Sequence, residues 1–123
     1  MKKEEIFHSF ARSIERFSEI LGEPKTVANR DSAIKRFELT FELAWKSAKA
    51  YLADKGMVCR SPRDCLAEMF RLGLVADDPC WLLMIDDRNL SVHTYNEKLA
   101  DDIYGRLKNY LPLFGALNLS LTK

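Results

Sequence analysis

The sequence predicts an all-α fold, one up-and-down helical bundle of four to five helices spanning residues 1–123. Three observations predict it. Apolar residues recur at three- and four-residue steps through almost the whole chain, the spacing of helix faces rather than strands. Gly, Pro and capping residues cut that pattern into five segments with short connections, as antiparallel neighbours require. No stretch alternates polar and apolar residues as a half-buried strand does, and no internal repeat or low-complexity linker interrupts the pattern. A chain of 123 residues is long enough to bury one core and too short for two.

The elements follow in order. Phe7, Phe10, Ile14, Phe17 and Leu21 form the stripe of a first helix, and Gly22-Glu23-Pro24 ends it. A longer second stripe comprises Ile34, Phe37, Phe41, Trp45, Ala48 and Leu52; Asn29 or Asp31 is expected to cap its start, and Gly56 to mark its end. Ser61-Pro62 reads as an N-cap with proline in the first turn, opening a short helix with Leu66, Met69 and Phe70 that stops near Gly73. Asp77-Asp78-Pro79 opens a fourth segment containing Trp81 to Ile85. Thr94 and Glu97 have capping-box spacing, so the last helix is expected to begin between Thr94 and Asn96. Its stripe is Leu99, Ile103, Leu107, Tyr110, Phe114 and Leu117, and Pro112 should bend or fray it.

Composition narrows the function classes. Hydrophobic residues make up 47% and charged residues 30%, the balance of a folded soluble domain. Nineteen basic against eighteen acidic residues leave +1, too little surplus for a broadly nucleic-acid-coating surface, so any RNA or nucleotide site must be local. No segment approaches the ~20 apolar residues that span a bilayer, and no uninterrupted apolar run follows the first lysines. Cys59, Cys65 and Cys80 are odd in number without Cys-x-x-Cys spacing, which predicts neither a disulfide framework nor a zinc site. These features point to the cytoplasm, with no membrane contact, no metal and no cofactor.

Chemistry concentrates in Asp87-Arg88-Asn89-Leu90-Ser91-Val92-His93-Thr94-Tyr95. An arginine grips phosphate with a planar fork of donors, and histidine is the side chain suited to moving protons near neutral pH. On one continuous helix a five-residue step turns roughly 140°, so Arg88 and His93 would face different ways. They can meet one phosphate only if the helix ends between them or a second subunit contributes. Upstream, Glu38, Glu42 and Lys46 stand at four-residue steps beside Trp45. That row reads either as a solvated face with a Glu-to-Lys pair or as part of a substrate or partner site. Asp86-Asp87 and Asp101-Asp102, as sequence neighbours on helices, point apart and make poor metal pairs.

Three segments together carry a family resemblance: Arg36 to Lys46, Gly73-Leu74-Val75 followed by Trp81, and Arg88-Asn89 with His93-Thr94-Tyr95. In this order and spacing, over nearly the whole chain, they resemble the nucleotidyltransferase substrate-binding protein family, a branch of the HEPN superfamily. The resemblance implies a dimerising bundle and a separately encoded minimal nucleotidyltransferase that supplies the catalytic carboxylates. This chain lacks the Gly-Ser and paired aspartates of such a partner and is not expected to transfer nucleotides alone.

Two roles are open within the resemblance. One is a subunit that presents a substrate, nucleotide or RNA, to the transferase. The other is the HEPN component of a toxin-antitoxin pair, a metal-independent ribonuclease with Arg88 and His93 as catalytic residues. There, Asn89 positions either group or caps the helix end, and Tyr95 accepts AMP from the transferase. A structural interaction protein without catalysis is the third reading.

Overall fold

The computed structural model describes residues 2–122. It contains α1 (Lys3–Leu21), α2 (Val27–Asp54), α3 (Pro62–Arg71), α4 (Cys80–Leu90), a single 3-10 turn (Ser91–His93) and α5 (Glu97–Leu121), with no strand among the described residues. The five expected helices are all present. The long ones, α1, α2 and α5, pack against one another, and α3 and α4 cover α2 and α5 as a shorter layer.

The predicted stripes meet in one aromatic core. Phe10, Phe17, Phe37 and Phe114 are wholly buried, and Phe37 stacks on Tyr110 with ring centroids 5.5 Å apart. Phe114 receives Phe17 edge-on at 5.9 Å and Trp81 at 6.3 Å, so one α5 ring joins α1 to α4. Between α1 and α2, Ser13 and Thr40 share a buried 2.6 Å hydrogen bond that satisfies two hydroxyls where the helices approach closely.

Two helix starts are capped by residues other than those expected. Thr26, not Asn29 or Asp31, caps α2, its hydroxyl accepting from the Asn29 amide at 3.0 Å. Asn29 instead donates to the Pro24 carbonyl, and Asp31 pairs with Arg30. The Thr94–Glu97 capping box does not form: Asn96 caps α5 by accepting from the Leu99 amide, and Thr94 donates to the Ser91 carbonyl. α5 runs unbroken past Pro112. Pro112 and Lys108, whose carbonyl loses its helical donor, are both exposed, so water can take that carbonyl. Ser61 caps α3 as expected, and Gly56 and Gly73 follow α2 and α3 at φ +77° and +75°, a backbone region that glycine enters freely.

The cysteine expectation is also overturned. Cys59 and Cys65 form a disulfide, with Cα atoms 5.2 Å apart and both residues buried. The odd count hid this pairing. The turn at Gly56 and the Ser61 cap fold the α2–α3 connection back, bringing Cys59 against the first turn of α3. Cys80 stays free, its thiol pushed up by burial and by Asp78.

Candidate functional site

The decisive local event is the end of α4. Its last turn is stopped by Ser91, whose hydroxyl donates to the Arg88 carbonyl at 2.7 Å. The chain then tightens into the 3-10 turn, and Asn96 donates its amide to the His93 carbonyl before α5 begins. The helix therefore ends between Arg88 and His93, which is the condition the sequence set for the two to meet one phosphate. Ser91 makes the bond at this helix end; Asn89 is exposed and its side chain makes no hydrogen bond among the described residues.

A buried clamp fixes this end. Asp87 accepts from Arg106 Nε at 2.8 Å and Nη2 at 2.7 Å, and from the Tyr110 hydroxyl at 2.5 Å. Asp87 is 3% exposed, so α4 is bolted to α5 immediately before Arg88. Bidentate arginine pairs are strong and geometrically specific. Burial, then the bond to Asp87, pushes the Tyr110 phenol well above the usual tyrosine range. The Asp87 hydrogen bonds raise the Arg106 guanidinium likewise.

The motif side chains differ in exposure. Arg88 is partly buried; its Nε has no partner, and Nη2 stands 4.0 Å from a Glu42 carboxylate oxygen. Glu42 also meets Lys46 at 3.3 Å, so the four-residue row is not merely a solvated face: its central carboxylate lies between Lys46 and the motif arginine. Glu38 is half-buried and takes part in no ion pair among the described residues. Trp45 is half-buried with Lys49 Nζ 5.9 Å from the ring centroid, which makes it neither core nor an open stacking platform. His93 is exposed, and Tyr95 is 81% exposed. The Tyr95 oxygen lies 3.2 Å from His93 Nδ1, the two rings meeting edge to face. In the tautomer with Nδ1 unprotonated, the phenol donates to it.

Other charged clusters have structural explanations. Buried Arg30 binds Glu97 at 2.7 Å, Asp31 at 2.9 Å and Asp101 at 3.1 Å, tying the start of α2 to the start of α5. Arg30, joined by Lys25, holds the Asp101 carboxyl below the usual range. Among the described residues no three His, Cys, Asp or Glu side chains are grouped to hold a metal ion. An apolar cleft of about 340 Å³ between α3 and α4, walled by Phe70, Trp81, Leu82 and Ile85, includes none of the motif residues.

Sequence reasoning missed Arg106 and the clamp function of Asp87 and Tyr110. One signal was present: Tyr110 sits in an otherwise apolar stripe, and a buried phenol needs a hydrogen-bond partner.

Fold and site together define an all-α bundle with an arginine-histidine-tyrosine turn at one helix end. Residues 5–123 match the family described as nucleotidyltransferase substrate binding protein like, and the chain belongs to that family. A Thermus thermophilus protein of known crystal structure is 36% identical, with a TM-score of 0.87 over 93% of this chain and 99% of that one. A Haemophilus influenzae structure, described as revealing the fold of a substrate binding domain of a nucleotidyltransferase, is 25% identical with a TM-score of 0.72, covering 98% and 97%. A curated Haemophilus influenzae relative, named probable ribonuclease HepT, is 31% identical over 84 residues. The match takes in 64% of this chain, which spans 58% of that relative's length. No helix of the described residues is long and apolar enough to cross a membrane.

Proposed function

We propose that this chain is the HEPN component of a two-component toxin-antitoxin system, acting as the homodimeric, cytoplasmic partner of a separately encoded minimal nucleotidyltransferase. The observation that carries this reading is the exposed Tyr95 hydroxyl 3.2 Å from His93 Nδ1, on a turn braced by α4 and α5. A phenol standing clear of its own surface can enter another protein's active site. In AMP transfer the Tyr95 oxygen attacks the α-phosphorus of ATP, forming an O–P bond while the bond to the β-phosphate oxygen breaks. Pyrophosphate leaves, and His93 Nδ1 takes the phenolic proton. Family membership and the description of the Haemophilus structure support the transferase as partner. Co-expression with a minimal nucleotidyltransferase from the same genome is expected to give a complex that survives gel filtration at micromolar concentration; two separate peaks would contradict it.

A second activity at the same turn is favoured by the break in α4 after Leu90. It is metal-independent RNA cleavage. His93 removes the proton from a ribose 2′-hydroxyl, whose oxygen attacks the adjacent phosphorus. The bond to the 5′-oxygen breaks and that oxygen takes a proton from solvent water, leaving a 2′,3′-cyclic phosphate and a 5′-hydroxyl, while His93 gives up its proton to solvent. Arg88 stabilises the charge building on the phosphorus oxygens. The name of the curated relative supports this reading. Arg88→Ala and His93→Ala are each expected to slow cleavage ~10²–10⁴-fold, with chelators without effect. Full cleavage by either variant would contradict it. AMP on Tyr95 would occupy the space beside His93 that a scissile phosphate needs, so the transferase would silence the nuclease.

A further inference from the structure

We propose that the groove between α1 and α2 holding Arg12, Arg16 and Arg36 is a track for the phosphate backbone of single-stranded nucleic acid, leading to the Arg88 turn. α1 and α2 run antiparallel, as the Lys3–Asp54 ion pair at one end and the Ser13–Thr40 bond near the middle fix. One side of their seam opens into two linked hollows of about 270 Å³ each, both walled by Arg16 and Arg36. Arg12 extends the second hollow, beside the apolar Leu39 and Leu43.

Glu19 and Glu23 line the first hollow beside Arg16 and Arg36, whereas the second holds Arg12, Arg16 and Arg36 with no carboxylate, so the cationic charge is concentrated there. Arg16 makes only a loose 3.5 Å contact with Glu19, and neither Arg12 nor Arg36 takes part in an ion pair among the described residues. Such fully charged forks are free to take phosphate oxygens bidentately. Arg12 and Arg16, one helical turn apart, stand roughly 6 Å apart along α1, a spacing two neighbouring phosphates of an extended strand can bridge.

Continuity favours nucleic acid over an acidic protein segment. Leu39, in the groove wall, and Lys46 are seven residues apart and share nearly one stripe of α2. Lys46 pairs with Glu42, and Glu42 faces Arg88. A strand laid in the groove and carried along that stripe arrives at the motif. The choice of RNA as its occupant rests on the ribonuclease reading above, while the groove's affinity for phosphate backbone does not.

Fluorescence anisotropy with a labelled, unstructured oligouridylate tests the groove, in a His93→Ala background so that the strand stays intact. The double variant Arg12→Gln/Arg36→Gln should weaken binding at least tenfold. It should also flatten the salt dependence of log K by ~1.4, since each lost phosphate contact on a single strand removes ~0.7 from the slope. Lys108→Gln, an exposed cation on α5, should change neither. Unchanged affinity and slope in the double variant would overturn the track, as would displacement of the RNA by polyglutamate at equal charge concentration. Arg12 is exposed and Arg36 half-buried at the groove, so an unchanged circular dichroism spectrum is expected. If wild type binds with the steep slope yet cuts no RNA, the groove stands and the nuclease reading falls. If the double variant with His93 intact cuts RNA at unchanged KM, the groove falls and the nuclease reading stands.

Discussion

At the scale of single residues, the site rests on one buried carboxylate. Asp87 fixes the last turn of α4 through Arg106 and Tyr110, and Arg88 is its immediate neighbour. Removing one member of a buried charge pair costs ~3–5 kcal/mol. Arg106 is partly exposed and can rehydrate, so Asp87→Ala is expected to cost about 3 kcal/mol in urea unfolding. Tyr110→Phe should cost about 1.5–3 kcal/mol, one hydrogen bond to a charged acceptor. No loss in Tyr110→Phe would mean that the aromatic packing, which phenylalanine keeps, and not the bond, carries Tyr110. The clamp also sets an alkaline limit. Tyr110 is held neutral in the fold, so its contribution is complete below the ordinary tyrosine pKa near ~10 and is lost as pH rises beyond it. Thermal melts should therefore fall above about pH 10 in wild type and less steeply in Tyr110→Phe. Little of this was legible in the sequence: Arg88, His93 and Tyr95 stood out as reactive residue types, but Asp87 and Arg106 are nineteen residues apart and only folding brings them together.

At the scale of elements, periodicity located all five helices, because stripes such as Phe10–Phe17 and Ile103–Leu107–Phe114 are set by burial against the same core. Ends were less legible. Thr26, Asn29 and Asp31 are all competent caps, and the Pro24–Asn29 bond decides among them by using Asn29 elsewhere. Likewise Thr94 had the right spacing, but the 3-10 turn after Leu90 claims its hydroxyl. The Cys59–Cys65 link closes a short loop between α2 and α3. Its reduction is expected to cost about 2 kcal/mol from unfolded-state entropy, read as a lower urea midpoint with unchanged slope. No shift on reduction would show that the connection holds itself through Gly56 and the Ser61 cap.

At the scale of the whole molecule, α1, α2 and α5 share the most extensive packing, and the motif turn lies where the shorter layer rejoins them. That placement was legible only as a condition: the sequence required the helix to end between Arg88 and His93 or a second copy to complete the site. The first holds within one chain. The second remains a proposal, in which two copies place their Arg88–Tyr95 turns near a common two-fold axis. Light scattering at tens of micromolar should give twice the chain mass, as a standard-sized interface predicts; a monomer there would remove the second copy from the site.

The central claim is that the Arg88–Tyr95 turn is where a nucleotidyltransferase acts on this chain. Peptide mass spectrometry of the chain co-expressed with a minimal nucleotidyltransferase from the same genome tests it most directly. AMP is expected on the peptide carrying Tyr95, absent in Tyr95→Phe and absent without the transferase. An unmodified Tyr95 beside an active transferase, or AMP placed on another tyrosine, would contradict it.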